Sequence, residues 1–257
     1  MRLLYSELLK IRTAPRTTLG LVLGLLLLTG LGSASTAYDA ESSPFESQMA
    51  MWDVIRVVSI APVFTLLLGI LVVTWEYRHG TIIQTFLATP RRERVIGAKD
   101  AVSFLSGAVL ALAALAVALL VASFWISLDL ERGQWELAGR MVFAAALWGV
   151  FGAGLGALMQ SQVGAIVTAF VWFLVAEPLV GVTIEALTDA AITDYLPGNV
   201  IDRLQESTAA TVEVGPEGIT TEPDYAYGLW VAALIAAGYA AVFAALGLVS
   251  AVQRDVT

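Results

Sequence analysis

An all-α integral membrane protein with six transmembrane helices, N-in/C-in, is the fold this sequence predicts, on three observations. Hydrophobic residues make up 58% of the 257 and charged residues only 14%, with a mean hydropathy of +0.79. A soluble domain carries about a quarter charged residues to cover its surface, so lipid must face much of this chain. Apolar stretches recur along it, each of about 20 residues, the length that spans a hydrocarbon core of roughly 30 Å at about 1.5 Å per residue. These stretches do not alternate with the two-residue period of transmembrane strands, so they are helices.

The elements follow in order within one transmembrane domain, residues 1–257. Met1 to Thr17 carries Arg2, Lys10, Arg12 and Arg16, with Leu3, Leu4, Leu8 and Ile11 at helical spacing. That pattern is an amphipathic helix lying on the membrane surface, ended by Pro15. Span one is expected from Leu19 to Ala37. Its basic start and the small residues Ser33, Ala34 and Ser35 also suit a cleavable secretory signal, but the basic region is long and amphipathic for one. Span two runs from Val54 to Trp75 with Pro62 as a kink, and span three from Val102 to Ile126. Span four covers Met141 to Met159, span five Val163 to Thr183 and span six Gly228 to Ala251.

Orientation follows from Lys and Arg. With the N-terminus inside, the cytoplasmic segments hold Arg2, Lys10, Arg12, Arg16, Arg78, Arg91, Arg92, Arg94, Lys99 and Arg254, and the outer ones only Arg56, Arg132, Arg140 and Arg203. Both ends are therefore expected in the cytoplasm, in a multi-pass protein of the plasma membrane. The formal net charge of −8 reflects acids gathered outside, above all from Glu185 to Asp224.

The composition also excludes chemistry. There is no Cys, and His79 is the only His, which removes thiolate chemistry and leaves little for a zinc site. A phosphate-binding loop needs Gly-Lys followed by Ser or Thr, and neither Lys10 nor Lys99 has those neighbours. No catalytic residue, metal or cofactor is expected in this chain, and no nucleic-acid partner. A membrane-embedded enzyme would need acids and bases clustered at membrane depth, where only Glu177 lies well inside an apolar span.

Two segments outside the membrane are large enough to act. The cytoplasmic one, residues 76–100, reads EYRHGTIIQTFLATPRRERVIGAKD. Gly80 and Thr81 start a short helix whose apolar face is Ile82, Ile83, Phe86 and Leu87. Thr89 and Pro90 suit the cap and first position of the next helix, which runs into span three. A short helix held between two spans is a mechanical handle. The competing reading is an interfacial loop whose arginines bind anionic headgroups.

The order Glu76, Arg78, His79, Gly80, Thr81, then Ala88-Thr89-Pro90-Arg91-Arg92, resembles the permeases of type-2 ABC exporters. There an E-x-x-x-G-T stretch after span two precedes an "LATPRRR"-like segment. The SELLKIRT-like start, the six spans and Leu196-Pro197 are similar as well. The resemblance implies a permease coupling ATP hydrolysis on a separate ATP-binding subunit, which holds the ATP and Mg, to export of a lipid, drug or peptide. It implies two such subunits, a second permease chain as homodimer or related partner, and lipids around them. It makes Glu76, Tyr77, Arg78, His79, Gly80, Thr81, Gln84 and Thr85 the contact to the ATPase. The alternative is a channel or structural membrane subunit with no ATPase.

The outer segment, residues 184–227, is expected to hold short re-entrant helices. Ile184, Leu187 and Ala191 share one face, and Asn199 suits the cap of a second helix with Val200, Ile201 and Leu204. Thr211 to Thr221 alternates about Gly215-Pro216-Glu217-Gly218 as a small hairpin or a solvated loop. Glu177, followed by Pro178, is either a substrate-path or gate residue or an ion-pair partner of Arg56 or Arg140. Gly20 and Gly24, then Ser103, Gly107 and Ala111, then Gly152 and Gly156, sit four apart and allow close helix approach without naming the partner helix.

Overall fold

The computed structural model describes residues 16–40, 44–88, 91–187, 193–206, 213–215, 218–220 and 227–253. The expected surface helix of residues 1–15, the Thr89–Pro90 cap, Ala191 and the tail after Gln253 lie outside the described residues. The helices are α1 (Arg16–Asp39), α2 (Pro44–Arg56), α3 (Ala61–Arg78), α4 (Ile82–Ala88), α5 (Arg92–Ala122), α6 (Arg132–Met159), α7 (Gln162–Val171), α8 (Glu177–Leu187), α9 (Pro197–Gln205) and α10 (Leu229–Gln253). Strands β1 (Glu213–Gly215) and β2 (Gly218–Thr220) pair antiparallel, Val214 opposite Ile219. Of the hairpin and the solvated loop left open around Gly215 and Gly218, the described residues form the hairpin.

Among the described residues, six helical stretches are long and apolar enough to cross a membrane: Thr17–Asp39, Ala50–Arg78, Arg92–Ala122, Arg132–Met159, Gln162–Ile184 and Leu229–Gln253. Spans three and four are longer than their apolar runs, because polar turns at their starts are helical too. At 31 residues, α5 is about 46 Å long, well over the hydrocarbon thickness. The first turns of α5 therefore stand beyond the lipid core.

Span two is one helical stretch, and its regular geometry breaks just ahead of Pro62, where a distortion is expected. Pro62 lies in the first turn of α3, after a 3-10 turn at Val57–Ile60, where its missing N–H costs nothing. A second distortion falls in span five. Pro178 cannot donate to the carbonyl of Leu174, and the preceding turn, Trp172–Ala176, opens to π geometry. There the Glu177 N–H reaches back to the Trp172 carbonyl.

The bundle is organised on α6, whose apolar window is 78% buried against 17% for span one and span five. Small residues make this possible. A Cβ on Gly152 would stand 2.1 Å from the Leu66 carbonyl oxygen, and one on Gly69 2.0 Å from that of Gly149, so α3 and α6 touch backbone to backbone. Likewise Gly107 of α5 abuts Ala145, and Gly154 abuts Phe243 of α10. Gly20 of α1 meets nothing within 4 Å, so its four-residue spacing with Gly24 carries no such contact. Two apolar clusters fill the bundle, one joining α1, α2, α3, α5 and α6 around Leu25, Val54, Ile55 and Met141, the other joining α3, α6, α7, α9 and α10 around Trp148 and Phe151. Helix α1 runs unbroken through Ser33 to Ser35, and the Ser33 hydroxyl donates to the Ala118 carbonyl of α5 at 2.5 Å.

Candidate functional site

The segment from Glu76 to Thr85 is the sharp reversal between α3 and α5. The α3 helix stops because Gly80 adopts φ +67, a left-handed conformation costly to residues with a Cβ. The His79 N–H donates to the Trp75 carbonyl and the Gly80 N–H to that of Tyr77, closing the helix end. The His79 ring lies on Trp75 with centroids 4.0 Å apart, and Nδ1 is 2.9 Å from the Trp75 carbonyl oxygen, a bond it donates when the proton is on that nitrogen. Helix α4 then begins, the Thr85 N–H donating to the Thr81 carbonyl at 3.2 Å.

A buried ion pair fastens this turn to the bundle. Lys99 Nζ of α5 stands 3.0 Å from Glu76 Oε1 of α3, with side chains 0% and 5% exposed. The other carboxylate oxygen, Oε2, accepts from the Thr85 hydroxyl of α4 at 3.2 Å, and Lys99 also donates to the Val72 carbonyl at 3.4 Å. Three helices thus converge on one carboxylate. Beside it Ile82 is buried against Tyr77 and Val95. The expected apolar face of α4 is therefore split: Ile82 points in, while Ile83 is 44% and Leu87 78% exposed. The Phe86 side chain lies outside the described residues.

Two further ties bring other helix ends to the same place. Arg78 donates to Gln162 Oε1 at 3.0 Å, at the start of α7. Arg92 donates to the Ala251 and Val252 carbonyls at 3.3 and 3.4 Å, in the last turn of α10, where a helix in general leaves carbonyls open to outside donors. Helix α5 is described from Arg92, with Arg91 in the cap position.

Of the residues expected to face a partner, Arg78, His79, Gly80, Thr81 and Gln84 are exposed, and Tyr77 and Thr85 half-buried. Glu76 is buried, with its carboxylate turned to Lys99 and Thr85, so it is an internal anchor. From the sequence, Lys99 is a topology-setting charge without the neighbours of a phosphate-loop lysine. The spacing of Glu76 and Lys99 in sequence carries no sign of their pairing, which depends on how α3 packs on α5.

Glu177 pairs with neither Arg56 nor Arg140. Its Oε1 accepts the Gly198 N–H at 2.5 Å, in the first turn of α9. Helix starts leave N–H groups without partners and favour negative charge, so a carboxylate from span five caps α9 across the chain. Asn199 is not the cap; its amide donates to the Thr193 carbonyl at 2.8 Å. Tyr227 donates to the Asp194 carbonyl and Tyr239 to that of Tyr195 at 2.8 Å. Burial pushes the Tyr227 phenol up from 10.0 to about 12, so it remains a donor at any physiological pH.

No curated protein matches the sequence significantly. A family profile described as ABC-2 family transporter protein matches residues 3–184, which takes in five of the six spans, the whole turn at Gly80 and the Glu177 carboxylate that caps α9. A permease-like bundle with a short helix bracketed between its second and third spans agrees with that match, and the chain belongs to the ABC-2 family of transporter membrane proteins.

Proposed function

We propose that this chain is the permease subunit of an ATP-driven exporter and that the turn from Arg78 to Leu87 docks a separate ATP-binding subunit. The observation that carries the reading is the contrast within α4: one face is bolted to α3 and α5 through Ile82, Thr85 and Glu76, and the other presents Ile83, Gln84 and Leu87 outward. An apolar, exposed edge on a rigid mount suits a groove on a partner protein. Arg78, His79, Gly80 and Thr81 frame it as contact residues, and Glu76 and Thr85 hold its angle.

In this reading ATP and Mg belong to the partner. Closure of two ATP-binding subunits pushes α4, and the buried Glu76–Lys99 pair passes the push to α3 and α5 together. Arg78 and Arg92 extend it to α7 and α10. Both chain ends and α4 face the cytoplasm, in the plasma membrane, and two permease chains enclose the path for a lipid, drug or peptide. Family membership supports the general role, and the excess of Lys and Arg at the α4 end supports the orientation.

The test is reconstitution with the ATP-binding partner. Arg78→Ala and Thr81→Ala should leave the bundle folded and ATP hydrolysis running while export per ATP falls. If deletion of residues 78–89 leaves both co-purification and export intact, the docking role is wrong.

A further inference from the structure

Arg140 lies two turns inside the α9 end of α6, and its two terminal guanidinium nitrogens are shut off from solvent with no acceptor among the described residues. The carboxylates whose charge reaches it are those of Glu136 and Glu206. Each is already engaged elsewhere, Glu136 with Arg132 at 2.9 Å and Glu206 with Arg203 at 3.1 Å. Arg203 brings a second positive charge against Arg140. Glu177 is not among the groups acting on it.

Packing creates this pairing of like charges. Helix α9 lays Val200, Ile201 and Leu204 on Ala144, Leu147 and Trp148 of α6. Arg140 is one turn from Ala144 on that face of α6, and Arg203 precedes Leu204, so the two arginines flank the same apolar contact between α6 and α9. Glu206 offsets Arg203 through their ion pair, while the Arg140 guanidinium is left with no acceptor of its own among the described residues, which an anion would supply. On the flank away from α9, Gly139 and Phe143 are exposed, and Trp135, 56% exposed, stands one to two turns nearer the helix end, as aromatic residues do at a membrane interface. This neighbourhood is that of a residue near the membrane interface, and reaching a ligand on that flank requires the long Arg140 stem to swing its guanidinium outward.

We propose that Arg140, with Arg203 behind it, binds a phosphate oxyanion, the planar guanidinium taking two oxygens at once as it does in other phosphate sites. The site requires only the six-span bundle and stands whether or not α4 docks an ATPase. A phosphodiester headgroup reaches it from the bilayer and free phosphate from the water; the two sources are separable.

The test uses the full chain purified in detergent. In native mass spectrometry with equal dioleoyl phosphatidylglycerol and dioleoyl phosphatidylcholine, the wild type should retain the anionic lipid about tenfold over the neutral one, the scale of a charge-assisted hydrogen bond. Arg140→Gln should abolish the preference, Arg140→Lys keep part of it, and Arg56→Gln leave it whole. Inorganic phosphate, titrated by thermal shift without lipid, should stabilise the wild type and not Arg140→Gln if the free anion is the ligand. The proposal is overturned if neither probe distinguishes wild type from Arg140→Gln, and the Arg140→Lys result guards against loss of fold.

Discussion

Lys99 and Glu76 form a charge pair out of contact with water at the foot of the α3–α4 turn. Removing one partner strands the other, which costs about 3–5 kcal/mol, whereas replacing both with uncharged groups of similar size is far milder. Lys99→Met should therefore lower thermal stability in detergent strongly, and Glu76→Gln combined with Lys99→Met should restore most of it. Equal loss in single and double variants would show that the pair is not what holds the turn. Gly80 gives a second residue-scale expectation. At φ +67 nothing lies within 4 Å of a would-be Cβ, so the penalty of a side chain is conformational alone. Gly80→Ala should cost about 1 kcal/mol and Gly80→Asn less, read from the same melts. The glycine was legible as a turn from sequence. Lys99 was not, since a lysine beside a span has the same appearance whether it sets topology or fills a pocket.

At the scale of elements, α6 is the spine on which α3, α5 and α10 pack. Gly152→Ile would press a branched side chain into the Leu66 backbone, which cannot yield as a side chain can. It should cost about 3 kcal/mol or more. Gly139→Ala on the same helix meets nothing within 4 Å and should be neutral or stabilising by up to about 1 kcal/mol, through helix propensity. If both variants melt alike, the backbone contact of α3 with α6 is not real. The small-residue spacing in spans three and four was readable as a capacity for close approach. Its use was not, because Gly20 and Gly24 show the same spacing where one meets only the Phe64 ring and the other nothing. Caps behaved similarly: α6 carries a local capping box from Glu131 and Gln134, visible in sequence order, while the α9 cap comes from Glu177, in another helix.

For the whole molecule, the proposed orientation is directly open to experiment, because the natural chain has no cysteine to mask. Leu87→Cys and Phe124→Cys, 78% and 76% exposed at opposite ends of the bundle, should label oppositely with an impermeant maleimide. In intact cells Phe124→Cys should react and Leu87→Cys should not, until the membrane is opened. The reverse pattern would invert the topology and remove the exporter reading with it. The number of spans and their order were set by the sequence alone, since about 20 consecutive apolar residues admit no other solution in lipid. So were the place of the short helix between spans two and three and the absence of a phosphate-binding loop. Which helix forms the spine, which acid faces which base, and where Glu177 spends its carboxylate were decided only by tertiary packing. Hydrophobicity is a local property that each segment carries with it, whereas an ion pair or a backbone contact belongs to two segments at once and exists only when they meet.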